Sequence, residues 1–444
     1  MGTLNPIILR FAILFLAVTL AASGCRVVPA GAEVTKPASQ EIVVEQPRQL
    51  RNVDGGLSYF QQFSNPLPSY PSFFPVGVWR ESILTEEDVR KDAEAGINVY
   101  VDLTTESKPT LLNGKGIFAL LSQPATDDNG TVLADEPDMW AGFGDAKWTG
   151  NWPGQGTICD PPQGRCGYTV QRQLANGVEK SKMKYANYGK GVTFWSSDQE
   201  AARFINEFQD VVSADNYWFT DPNICGATEG GAMIAAGRKL DQSECRLAAN
   251  YGKTVDRVRS LLKPVGGKPV WSFVEVGQPF KTTASGATGA QIRAAVWSSI
   301  IHGARGIVYF NHSFGGPCPS FHVLRESCAQ QTRAAVTSLN RQVTSLAPVL
   351  NAPFLDNAVK HSDTVSSAIK VYEGSLFILT ASTRANSHSV QFELPCLAQQ
   401  GGSIAVLDEN RSISMVNGVF SDEFDDGNAV HLYRIDGAAA LCVP

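Results

Sequence analysis

Eight short apolar runs, separated by segments of helical period, constrain this 444-residue chain more than any other feature. The runs are Phe74–Trp79, Ile97–Leu103, Gly116–Leu121, Thr131–Ala134, Val192–Trp195, Val212–Asp215, Val270–Val274 and Gly306–Phe310. Between them, Thr85–Ala95, Asp198–Asp210 and Gln291–His302 carry apolar residues near the 3.6 period, and Gly96 and Gly303 stand where the first and last of these should stop. Such alternation predicts parallel strands joined by crossover helices, which bury both faces of the sheet. Eight units closing on themselves make a (β/α)8 TIM barrel. An open doubly wound sheet fits the same alternation, but no strand here runs into G-x-G-x-x-G, so the barrel is preferred.

From residue 348 the texture changes. Ile369–Tyr372, Leu376–Ala381, Ser389–Leu394, Ser403–Val406 and Val430–Ile435 are short runs bounded by Gly, Asn and Asp, the pattern of a small all-β sandwich. The expected organisation is therefore a barrel over residues 71–347 followed by a β-sandwich domain over 348–444. The sandwich is expected to support the barrel rather than to perform chemistry.

The formal charge is −6, and Lys and Arg are scattered rather than clustered. No nucleic-acid footprint is present, and a neutral ligand suits that balance. At the N-terminus, Arg10 precedes the apolar stretch Phe11 to Ala22, too short to span a bilayer and ending in small residues, as a secretory signal does. Ala22-Ser23-Gly24-Cys25 resembles a bacterial lipobox, with Ala where Leu is more usual. The resemblance implies lipidation at Cys25, a signal peptide over 1–25 and anchoring in the cell envelope; the alternative is a soluble secreted product. Residues 26–70, rich at first in Val, Pro, Ala, Glu and Gln, are expected to form a tether and lead-in.

Eight of the nine cysteines remain after Cys25. An even number in an exported chain suggests disulfides, and their spacing favours the sequential pairs Cys159/Cys166, Cys225/Cys245, Cys318/Cys328 and Cys396/Cys442. The last pair would tie the final strand of the sandwich to an interior one. A zinc site is the competing reading, but there is no C-x-x-C and no His at ligand spacing, so neither metal nor cofactor is expected.

Two glutamates end strand-like runs: Glu136 in Ala134-Asp135-Glu136-Pro137-Asp138 after strand four, and Glu275 in Trp271-Ser272-Phe273-Val274-Glu275 after strand seven. In a barrel both would stand at the face where the βα loops gather. Each residue alone has a bland explanation, a helix-start turn for Glu136 and a solvated strand end for Glu275. The pair, with many tryptophans near the same strand ends, points to acid and nucleophile chemistry on a sugar.

These residues resemble clan A of the glycoside hydrolases. The resemblance rests on Phe74-Pro75-Val76-Gly77-Val78-Trp79, Asp135-Glu136-Pro137, Trp271 to Glu275, and His302-Gly303-Ala304-Arg305-Gly306-Ile307, and covers about residues 70 to 345. It implies a retaining glycosidase with Glu136 as acid and base, Glu275 as nucleophile, and carboxyl groups ~5–5.5 Å apart. Asp135 departs from the usual Asn-Glu-Pro: an aspartate can accept but not donate a bond to the sugar, and as a neighbouring carboxylate it should raise the proton affinity of Glu136.

Substrate contacts are expected from Trp79, Asp135, Trp140, Trp195, Asp215, Tyr217, Trp271 and Asn311. Of these, Asp215 would bind a hydroxyl and Tyr217 would hold Glu275. The long Trp140–Lys190 insertion, with Trp148 and Trp152, would wall the cleft, and His312 would open the Cys318–Cys328 loop. The expected partners are a carbohydrate, from a cell-envelope or extracellular polysaccharide, and a membrane through the lipid anchor; the chain is expected to be a monomer. A glycan-binding lipoprotein on a degenerate barrel is the alternative from another class, and a purely structural envelope protein is a third.

Overall fold

The computed structural model describes residues 46–123, 128–281 and 285–444. The signal segment, Cys25 and the tether up to Glu45 lie outside the described residues.

Eight parallel strands close into a barrel: Val76–Glu81, Val99–Leu103, Phe118–Leu121, Gly130–Val132, Lys184–Tyr188, Val211–Ala214, Val270–Glu275 and Ile307–Phe310, here strands one to eight. Closure is made where Ile307, Val308 and Tyr309 of strand eight pair with Val76, Gly77 and Val78 of strand one. Side chains alternate across each strand, so one set fills the barrel and the other packs under the helices. Trp79, Val99, Val101, Leu120, Val132, Tyr185, Val211, Trp271, Phe273 and Val308 form the interior set.

The barrel follows the expected alternation, with one correction. Val192–Trp195 is not strand five: Gly191–Trp195 is a π-helical turn, and the strand is Lys184–Tyr188. The β-branched and aromatic residues of 192–195 imitate a strand, whereas Lys-Tyr-Ala-Asn-Tyr places the polar Asn187 inside the barrel. Its neighbour Gly191 sits hard against the Asp138 carbonyl, where a Cβ would lie 2.5 Å from that oxygen.

The helices Glu86–Glu94, Asp198–Glu207 and Gly289–Ile301 lie where the sequence places them, each opened by a capping box, from Thr85, Ser197 and Thr288 respectively. The third is apolar nearly all round. One side packs on the barrel and another meets Leu379, Ala381, Val430 and Leu432 of the C-terminal sheet, so it is buried on both. Among the described residues, no helix is long and apolar enough to cross a membrane.

The C-terminal region is antiparallel. A seven-stranded sheet runs in the order Gln49–Arg51, Phe354–Asp356, Val365–Tyr372, Ser375–Ser382, Val430–Ile435, Gly402–Val406, Arg411–Met415; His388–Glu393 pairs with Val419–Phe424 in a second, two-stranded sheet. Phe392 and Phe420 of the small sheet pack on Tyr433 of the large one, with ring centroids 5.8 and 5.1 Å away. Gln49–Arg51, expected as lead-in, is an edge strand of this sheet, locked by Arg51 to Asp356 at 2.7 Å.

Four disulfides join the cysteines in the sequential pairs Cys159–Cys166, Cys225–Cys245, Cys318–Cys328 and Cys396–Cys442. The last corrects an expectation about placement. Cys442 is not on the final strand but on the short helix Ala439–Cys442 beyond it, and Cys396 lies in the 3-10 turn Pro395–Leu397. The bridge therefore fastens the C-terminal helix onto the sandwich, because the chain turns at Gly437 before it reaches Cys442. Cys245 and Cys442 have no exposed surface: Cys245 ends the short helix Gln242–Cys245 inside the main core, and Cys442 is packed inside the sandwich core. Neither can meet a ligand, so both are structural staples rather than members of a binding site.

Candidate active site

The residues of Asp135-Glu136-Pro137-Asp138 turn sharply off strand four. Glu136 sits in the left-handed region at φ 48°, a conformation that a non-glycine residue adopts only where its surroundings impose it. Here the Glu136 N–H donates to the Asn187 carbonyl at 3.1 Å, and Pro137, with its φ preset, starts the short helix Pro137–Trp140. Asp138 ties that helix to the end of strand five, accepting from the N–H groups of Gly189 (3.1 Å) and Val192 (2.8 Å). Gly189 leaves room for the acid: a Cβ there would lie 2.6 Å from Glu136 Oε1.

Arg80 and Asp102, at the tops of strands one and two, share the left-handed backbone with φ 45° and 65°. Asp102 accepts from the Ser122 N–H (3.0 Å) and hydroxyl (2.8 Å). Three such residues follow or end strands one, two and four at this mouth of the barrel.

Asp135 is held by Asn187, whose Nδ2 donates to Oδ1 at 3.0 Å. Asn187 in turn accepts from the Ser213 hydroxyl (2.7 Å), which touches the Tyr185 hydroxyl (2.5 Å), so a polar chain runs through the barrel under the site. Burial raises the Asp135 carboxyl to about 6, with Asn187 and Arg80 opposing and Asp102 adding to the rise. Glu136 is pushed further, up to about 8, first by burial and then by the Asp135 charge. Asp215, after strand six, lies against Glu136 and is only 7% exposed; burial and that neighbour raise it well above the usual carboxylate range. Its Oδ2 accepts from the Tyr217 hydroxyl at 2.9 Å, and its Oδ1 has no hydrogen-bond donor. The contact between the two carboxyls raises the proton affinity of Asp215 and draws that of Glu136 down, against the rise that burial gives it.

Glu275 ends strand seven and is fully buried. Oε1 accepts from the Phe219 N–H (2.8 Å) and the Tyr251 hydroxyl (2.6 Å), and Oε2 from the Thr220 hydroxyl. Burial raises its proton affinity above the usual carboxylate range, and the three donors together with the Arg246 charge oppose that rise without cancelling it. The residue expected to hold it, Tyr217, does not: its hydroxyl faces Asp215, while Tyr251, on helix Ala249–Ser260, takes that place. Sequence reasoning misses Tyr251, Thr220, Asn187 and Asp102, since nothing local in the sequence marks them.

The other expected contacts divide. Trp140 is half-buried, its indole N–H donating to the Asp135 carbonyl at 2.7 Å, and Trp195 is 50% exposed. Both line one pocket beside the short helix Pro137–Trp140. Trp79 and Trp271 are barrel core: Trp79 packs edge-on to Phe273 at 5.3 Å and Trp271 against Tyr185 at 5.5 Å, and neither offers an exposed ring face. Asn311 is fully buried and donates to Glu81, and its Oδ1 has no hydrogen-bond partner. Glu81 binds the loop after strand eight, being paired with His322 and 3.4 Å from Arg325. His312 is driven down to about 4 by burial, and its ring packs on Phe310 (5.0 Å) and Phe321 (5.4 Å).

Fold and site together define a closed (β/α)8 barrel with buried carboxyl groups at its C-terminal mouth and antiparallel sheets after it. No protein-family model and no curated protein sequence matches the chain. Among solved structures, an α-amylase from Geobacillus thermoleovorans complexed with acarbose aligns at 9% identity and a TM-score of 0.48, over 82% of this chain and 98% of that one. A GH30 endoxylanase from Clostridium papyrosolvens C71 aligns at 11% identity and 0.43, over 82% and 96%. A structure described only as a glycoside hydrolase aligns at 9% identity and 0.47, over 88% and 97%. At such identities and scores these likenesses carry no weight for the chemistry, which rests on the chain's own residues.

Proposed function

We propose that this chain is a glycoside hydrolase that cleaves an envelope or extracellular polysaccharide by a retaining, two-carboxylate mechanism. One observation carries the proposal. Glu136 and Glu275 stand after strand four and at the end of strand seven of one closed barrel; burial raises both, and at Glu275 three hydrogen-bond donors oppose the rise. Glu136, raised to about 8, stays protonated at neutral pH. It gives its proton to the glycosidic oxygen as the bond to the anomeric carbon breaks, and later takes one from the attacking water. Glu275, its charge supported by Phe219, Thr220 and Tyr251, attacks the anomeric carbon and is released in the second step. Asp135 accepts from a sugar hydroxyl, and Trp140 and Trp195 offer ring faces in the pocket they line. Four disulfides suit an exported protein, and Cys25 is its proposed lipid attachment point.

The second reading, a glycan-binding protein that does not cut, draws on the complete burial of Glu275, since an attacking oxygen needs an open approach. Incubating the parent and Glu136→Gln with an array of polysaccharides and aryl glycosides separates the two. Sugar released by the parent and lost by orders of magnitude in the variant supports the hydrolase. Binding without release supports the second reading.

A further inference from the structure

The residues that follow Glu136 build a second concavity beside it. Met139 and Trp140 from the short helix, Arg165 from the loop tied by Cys159–Cys166, and Trp195 and Ser196 after strand five line a pocket of about 380 Å³. It adjoins the acid, because Met139 and the Glu136 carboxyl crowd the same face of Gly189. Trp140 is fixed by its bond to the Asp135 carbonyl and by contact with Trp152, ring centroids 5.4 Å apart.

Arg165 is the unusual member. Its carbonyl accepts from the Ala146 N–H at 3.0 Å, its neighbour Cys166 is disulfide-bonded, and its guanidinium lies over the Phe143 ring at 4.5 Å. Among the described residues it makes no ion pair with a carboxylate, whereas nearby Arg172 and Arg203 both pair with Asp145. Asp138 also lines the pocket, but its oxygens are occupied by the N–H groups of Gly189 and Val192. A planar cation held on an aromatic ring, with its fork of donors free, is built to take a carboxylate or sulfate. The indoles supply what a sugar ring needs on its apolar faces.

We propose that this pocket is a subsite for an anionic sugar, with Trp140 and Trp195 against the ring and Arg165 paired to its carboxylate or sulfate. The inference rests on the glycan reading above and narrows it to acidic polysaccharides.

The test uses Glu136→Gln, so that bound glycan is not consumed, and compares oligouronates, sulfated oligosaccharides and uncharged oligosaccharides of equal length by calorimetry. Anionic ligands should bind the more tightly, and their affinity should fall about tenfold or more when Arg165→Ala is added, with partial recovery in Arg165→Lys. Trp195→Ala should weaken charged and uncharged ligands alike. Whichever anion binds identifies the group that Arg165 reads. Equal binding of charged and uncharged ligands, or no effect of Arg165→Ala, overturns the subsite. So does a parent enzyme that hydrolyses only neutral glycans, and that result leaves the hydrolase reading standing. A chain that neither binds nor cuts any glycan removes both.

Discussion

The Tyr251 hydroxyl donates to Glu275 Oε1 at 2.6 Å, across 24 positions of sequence and from a helix outside the barrel to the end of strand seven. Glu275 has no exposed surface, so this bond and those from Phe219 and Thr220 replace the water that a free carboxylate would have. Tyr251→Phe removes one donor to a charged group, worth about 1.5–3 kcal/mol, and should lower kcat by roughly ten- to a hundredfold with KM little changed. Loss of the donor also favours the neutral acid, so the acidic limb of the rate profile should move to higher pH. An unchanged kcat would show that Glu275 is not the nucleophile.

Glu136 sets the opposite limb. A group that must be protonated, and whose carboxyl is raised to about 8, is competent below that pH and lost above it. Activity should therefore persist at pH 7 and decline as pH rises through about 8, which a kcat/KM profile measures directly.

Asp215 should govern where that decline falls. Asp215→Ala removes a hydrogen bond that lowers the proton affinity of Glu136, so the Glu136 proton should be held more tightly and the basic limb should shift to higher pH. Tyr217→Phe, which acts on Asp215 alone, should move the limb less and leave Glu275 unaffected. Equal shifts in both variants would contradict this order.

Glu81 fastens the loop after strand eight through His322, Asn311 and Arg325. Glu81→Ala removes the buried acceptor shared by His322 and Asn311, while Arg325 keeps Asp92, and should cost about 1–3 kcal/mol in chemical denaturation. A cost below 1 kcal/mol would show the network to be dispensable.

The barrel was legible in the sequence because buried parallel strands read as apolar runs at regular intervals. Strand five escaped because Lys184–Tyr188 gives up apolar character to place Asn187 under Asp135, while the π turn beside it borrows the composition of a strand. Arg411–Met415 escaped because its residues are largely solvent-facing. The cysteine pairs were legible from spacing, but the helix that carries Cys442 was not, since four residues are too few to show a period. Glu136 and Glu275 could be picked out by their positions at strand ends. Their partners could not, since Tyr251, Thr220 and Asn187 reach them through tertiary contacts with no sequence spacing to announce them. The assignment of Tyr217 to Glu275 fails for the same reason: after a strand ends, side-chain direction depends on the turn, and this turn aims it at Asp215.

In the proposed reaction Glu275 attacks sugar from a buried position while Glu136 supplies the proton. This is tested most directly by following the anomeric form of freshly released product by NMR for the parent, together with the single-turnover rate of Glu275→Gln. Product of retained configuration is expected, with a rate at least a thousandfold lower in the variant, about 4 kcal/mol of lost transition-state stabilisation. Inverted product, or a variant as fast as its parent, would contradict it.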